Sequence, residues 1–75
     1  MIKKRSIKIA GHKTSVSLEE PFWDALKAVA AAEGLSLSAL IERVDRARSE
    51  DGAPANLSSA LRLRVLQYLR DRAGV

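Results

Sequence analysis

The chain is predicted to be mainly helical, with a short β-ribbon at its N-terminus. Near the start, two stretches alternate polar and apolar residues, and three later stretches repeat apolar residues with helical period. Glycine, proline and small hydroxyl or amide residues mark the boundaries between them.

Residues 6–18 read Ser-Ile-Lys-Ile-Ala-Gly-His-Lys-Thr-Ser-Val-Ser-Leu. Ile7 and Ile9 alternate with polar residues, as do Val16 and Leu18, which is the period of a strand. Gly11-His12 between them predicts a two-residue hairpin loop in which glycine supplies the positive φ of a II′ turn. That register sets Ile7 opposite Val16 and Ile9 opposite Thr14. The apolar side chains then share one face, while Ser6, Lys8, Ala10, Lys13, Ser15 and Ser17 form a cationic, hydroxyl-rich face on the other side.

Glu19-Glu20-Pro21 provides negative charge and a proline where a helix N-terminus favours both. Phe22, Leu26, Val29 and Ala30 follow at i, i+4, i+7 and i+8, and Gly34 suits a left-handed C-cap, so the first helix spans about 20 to 33. Ser36 is a fitting N-cap for a second helix from 37 to 49, with Leu37, Leu40, Ile41 and Val44 on its apolar side. Ser49-Glu50-Asp51-Gly52-Ala53-Pro54-Ala55 reads as loop, and Asn56 as the cap of a third helix over 57–73. Leu57, Leu61, Val65, Tyr68 and Leu69 form that helix's stripe, which Leu63 and Leu66 widen. The segments are therefore 1–12, a basic arm or extra strand; 13–49, the central unit; 50–56, a loop; and 57–75, the C-terminal helix.

At 75 residues the chain is too small to bury a comfortable core alone. It has no cysteine for a disulfide and only one histidine, His12, so oligomerisation is the expected source of additional core. Thirteen Lys and Arg against nine Asp and Glu give a net charge of +4, which favours a polyanionic partner, nucleic acid above all. The basic start Met1-Ile2-Lys3-Lys4-Arg5 is not followed by an apolar run of signal or anchor length, so a cytoplasmic location and no membrane contact are expected. There is no nucleophile paired with a base, no cluster of metal ligands and no glycine-rich phosphate loop. No enzymatic activity, cofactor or metal is expected.

A short strand, a helix ending in Gly34-Leu35-Ser36, and a second helix opening with Ser36-Leu37-Ser38 together resemble the ribbon-helix-helix superfamily of the Arc, MetJ and CopG repressors. The likeness runs without a gap from Lys13 to Val44. The opening from Lys4 to Leu18, with the late Asn56-Leu57-Ser58-Ser59-Ala60-Leu61-Arg62, resembles more narrowly a family of small bacterial ribbon-helix-helix-domain proteins over nearly the whole chain.

The resemblance implies an intertwined homodimer whose two-stranded ribbon enters the major groove of double-stranded DNA, as a transcriptional repressor does. Thr14, Val16 and Leu18 would then face the helices, and Lys13, Ser15 and Ser17 the base edges. Ser36, Ser38 and the amides beside them would hold a phosphate, as would Lys3, Lys4 and Arg5 on a flexible arm. Val16, Leu18, Leu26, Leu40, Ile41 and Val44 would form the dimer core. If residues 6–10 instead pair with 13–18, the dimer acquires a four-stranded sheet too wide for groove entry of the usual kind.

Several residues also have plainer readings. His12 reads as a turn residue, Trp23 as core or interface, and Arg62, Arg64, Arg70 and Arg72 as solvation. A second functional class is a protein-interaction module, antitoxin-like or adaptor, that docks a partner through residues 57–73. An exposed Leu57, Leu61, Val65 and Tyr68 stripe would favour that class. A buried stripe beside a clean basic ribbon would favour the DNA binder.

Overall fold

The structure, a computed structural model, describes residues 1–9, 11–51 and 56–74, without the side chains of 49–51. Ala10, expected on the outward face of the ribbon, and the loop residues 52–55 lie outside the described residues.

Strands β1 (Ile2–Ile9) and β2 (His12–Glu19) form a two-stranded antiparallel sheet. Ile9 pairs with His12, Ile7 with Thr14, Arg5 with Val16 and Ile2 with Glu19. The last pair before the turn is Ile9 with His12 and Gly11 adopts φ +85°, so His12 belongs to the strand rather than the turn. The register differs by two residues from the expected one. Side chains alternate with period two, so a slip of two leaves every residue on its expected face. The observed register also pairs both strands along all eight residues. Residues 2–9 are thus the extra strand, and not a free arm.

Helix α1 spans Glu20–Ala32, with Pro21 in its first turn. Its end is a Schellman motif: the Leu35 amide donates to the Ala30 carbonyl at 2.8 Å and the Gly34 amide to that of Ala31 at 3.2 Å. Gly34 adopts φ +70°, a conformation that costs a residue with a Cβ about 1 kcal/mol or more. Helix α2 (Leu37–Asp51) starts on Ser36, whose Oγ accepts from the Ala39 amide at 3.1 Å. It runs two residues beyond the expected end, because Glu50 and Asp51 tolerate a last helical turn and the strong breakers Gly52 and Pro54 come only afterwards. Helix α3 (Leu57–Ala73) is capped by Asn56, whose side chain accepts from the Ser59 amide at 3.3 Å.

The apolar face of the hairpin packs against the helices, β1 against α2, and β2 against α1 and α3. Ile7, Ile9, Val16 and Leu18 meet Trp23, Leu26 and Val29 of α1, Leu40 and Ile41 of α2, and Leu61 and Val65 of α3 in one buried cluster. Trp23 is core: its indole N–H donates to the Lys3 carbonyl at 3.0 Å, and the Arg5 guanidinium lies 5.3 Å from its ring centroid. These contacts fasten β1 to α1. Val16, Leu18, Leu26, Leu40 and Ile41, expected to form the dimer core, are at most 2% exposed within the single chain, and Val44 packs on the same cluster. Within the chain β1 and α3 help to cover them.

Of the α3 stripe, Leu61 and Val65 are buried, and Leu57 and Tyr68 pack against the core. Leu69, expected in that stripe, is 54% exposed, as is Leu63, with Leu66 at 49%. Seven apolar positions reach around more of the helix than one sheet-and-helix surface can cover. Two of the arginines expected to be solvation are structural. Arg62 donates to Glu19 of β2 at 2.9 Å, and Arg64 pairs with Glu33 at the end of α1.

Candidate nucleic-acid interface

Alternation along the hairpin turns one set of side chains away from the helices. In register these are Lys8 opposite Lys13, Ser6 opposite Ser15, Lys4 opposite Ser17, and Ile2 opposite Glu19. All three lysines are exposed, as are Ser6 and Ser15, and Ser17 is half-buried. Among the described residues none of the three lysines has a carboxylate partner, in contrast to Lys3, Arg43, Arg46, Arg48, Arg62 and Arg64. The one acid on this face, Glu19, is engaged by Arg62 at the far end of the ribbon. Its own backbone amide, and after that the Arg62 guanidinium, hold its carboxyl below the usual carboxylate range. The middle of the face therefore carries only positive charge and hydroxyl groups.

The width of this face matches one kind of target. Two strands lie about 4.8 Å apart, and the B-DNA major groove, about 12 Å wide, admits a two-stranded ribbon. Lysine donates to guanine O6 and N7, and serine donates or accepts according to the base.

The expected site residues fall into three groups. Lys13, Ser15 and Ser17 stand together on this face, and Lys4 joins them. Lys3 and Arg5 belong to the opposite, helix-side face. Lys3 Nζ is 3.5 Å from Glu20, and Arg5 is stacked on Trp23. Ser36 and Ser38 open α2, a separate element, and the Ser36 hydroxyl is used in capping. The expected contact set left out Ser6 and Lys8, although the alternation of β1 already put them on the outward face. They were left out because the contact set followed the family resemblance, which puts only the strand of Lys13, Ser15 and Ser17 at the bases, although the hairpin reading had already placed Ser6 and Lys8 on the same face.

Near the tip, His12, Lys13 and Thr14 line an open cavity of about 450 Å³ with Ile9, Asp45, Arg48 and Leu57. Among the described residues no group of three His, Cys, Asp or Glu could hold a metal ion, and no helix is long and apolar enough to cross a membrane.

Comparison with known proteins gives a family model, "Ribbon-helix-helix domain", that matches residues 2–69. Among solved structures, the chain is similar to an uncharacterized protein from Bordetella pertussis Tohama I, at 39% identity and a TM-score of 0.83. The match covers 99% of this chain but only 60% of that one. No curated protein matches. The family match extends from β1 into α3 and so takes in the hairpin and all three helices: the chain belongs to the ribbon-helix-helix domain family.

Proposed function

We propose that this protein is a sequence-specific double-stranded DNA binder and a transcriptional regulator of the repressor type, with the outward face of its hairpin in the major groove. Membership of a family whose proteins generally bind DNA and regulate transcription supports the class of function. The observation that carries the mode of binding is the unpaired cationic and hydroxyl face of Lys4, Ser6, Lys8, Lys13, Ser15 and Ser17 on a ribbon two strands wide. Buried Leu61 and Val65 remove the stripe that would have favoured a partner-docking module.

Selection from random duplexes, with wild type and a Lys13→Ala, Ser15→Ala, Ser17→Ala variant, tests the proposal. Wild type should enrich a defined motif, and the variant, its fold checked by circular dichroism, should lose it. Equal enrichment by both proteins would remove the ribbon from recognition.

The interaction-module reading keeps one supporting observation, namely that Leu63, Leu66 and Leu69 are about half exposed on α3. If replacing them with serine abolished regulation while DNA binding persisted, that reading would take precedence.

A further inference from the structure

At the hairpin tip, the two strands and two of the helices meet around the open cavity of about 450 Å³, a volume within the range that small-molecule sites occupy. β1 ends there with Ile9 and β2 begins there with His12, Lys13 and Thr14, while α2 contributes Asp45 and Arg48 and α3 its first residue, Leu57. The walls are chemically divided. Ile9 is buried and Leu57 packs against the core, so one part of the lining is apolar. The other part carries the ammonium of Lys13, the imidazole of His12 and the hydroxyl of Thr14, each able to donate a hydrogen bond. Asp45, the lining's one carboxylate among the described residues, is paired with Arg48. The charge left over at that wall is therefore that of Lys13.

We propose that this cavity binds a small organic anion, a carboxylate or phosphate group on a short apolar body, and that the bound anion competes with DNA for Lys13. The anionic group meets Lys13, His12 and Thr14, and the apolar body lies on Ile9 and Leu57. A DNA phosphate offers the charge without the apolar body and would leave that part of the lining unused. Lys13 also stands on the outward face of the ribbon, opposite Lys8. An ammonium neutralised by an anion in the cavity is lost to the duplex, so ligand and DNA weaken each other's binding by the same factor, as linkage requires. The competition rests on the DNA-binding reading above, whereas occupation of the cavity does not.

Titration of the isotopically labelled full chain, followed by its amide chemical shifts, tests occupation without DNA. The probes are hexanoate and hexyl phosphate, with acetate, inorganic phosphate and hexanol as controls. The hexyl anions should shift the amides of His12, Lys13, Thr14, Arg48 and Leu57. They should bind about tenfold or more tighter than acetate or inorganic phosphate, because burying the apolar body adds to the charge contact. The tighter of the two identifies the anionic group. Lys13→Gln should weaken it about fivefold or more, and Leu57→Ser should remove its advantage over the short anions, with Leu57→Ala as the second variant should Leu57→Ser fail to fold. Equal binding by hexanol, equal binding by the short anions, or shifts confined to another part of the chain would overturn the site.

The tighter anion, at saturation, should also lower wild-type affinity for a selected duplex about fivefold or more, with acetate at equal concentration controlling for salt. Occupation of the cavity with unchanged DNA affinity would overturn the competition and leave the DNA-binding reading standing. A folded wild type that shows the tip shifts but enriches no DNA motif would overturn that reading, and the competition with it, while leaving the site.

Discussion

Glu19 ends β2, precedes α1 as its N-cap residue, and accepts from Arg62 of α3 at 2.9 and 3.1 Å. One carboxylate thus links three elements. Because the folded chain holds this group below its ordinary pKa, the unfolded state binds its proton more readily, and the stabilisation carries a defined sign. It is fully present above the ordinary glutamate pKa of about 4.3 and is lost as pH falls through the lowered folded value. Comparing denaturant unfolding of wild type and Glu19→Gln across pH should show wild type more stable at neutral pH, with the difference closing as the solution becomes acidic. A difference independent of pH would mean that the carboxylate charge has no part in the link. Arg62 looked like solvation in the sequence because its partner is 43 positions away, and residue spacing along one helix carries no information about such a pair.

At the scale of elements, α3 is the part whose role in the core needs the strictest test. Leu61 is fully buried while Leu63, two positions on, is 54% exposed. Leu61→Ala should cost about 2–5 kcal/mol, as truncation of a packed leucine does, and Leu63→Ala should stay within about 0.5 kcal/mol of wild type. Denaturant titration of both variants checks this, and equal costs would show that α3 does not close the core. Helix caps were legible in the sequence because each rests on local chemistry: Ser36, Asn56 and Gly34 all do what their residue types predict. The hairpin's faces were legible for the same reason, through alternation. Its register was not, because slips of two residues present identical faces. The full inward face of α3 was also illegible, since its apolar residues spread around the helix and their spacing does not say how far the sheet and the other helices reach. Val65 and Leu66 are neighbours in sequence, yet one is buried and the other half exposed.

For the whole molecule, a first expectation concerns assembly: proteins of the family typically dimerise, so the free protein should sediment as a homodimer at micromolar concentration. A stable folded monomer at that concentration would show instead that one chain is complete alone. The second expectation concerns charge. A net charge of +4 would attract DNA wherever the cations stood, so salt dependence alone does not locate the binding face. Location comes from comparing two variants of equal charge. Replacing Lys4, Lys8 and Lys13 with glutamine removes the outward cations of the ribbon, while replacing Lys27, Arg70 and Arg72 removes three exposed cations from the helices. Each phosphate contact released changes the slope of log K against log salt by about 0.9, so the ribbon variant should flatten the slope by about two to three if all three lysines reach the backbone. Lysines directed at base edges contribute less to that slope and more to motif preference, so flattening by less than about one unit together with a lost motif still places them in the groove. The helix variant should leave the slope near that of wild type, because at ordinary salt the Debye length of about 8–10 Å screens charges away from the contact. Equal flattening by the two variants would mean that DNA responds to the overall field of the protein and not to its ribbon.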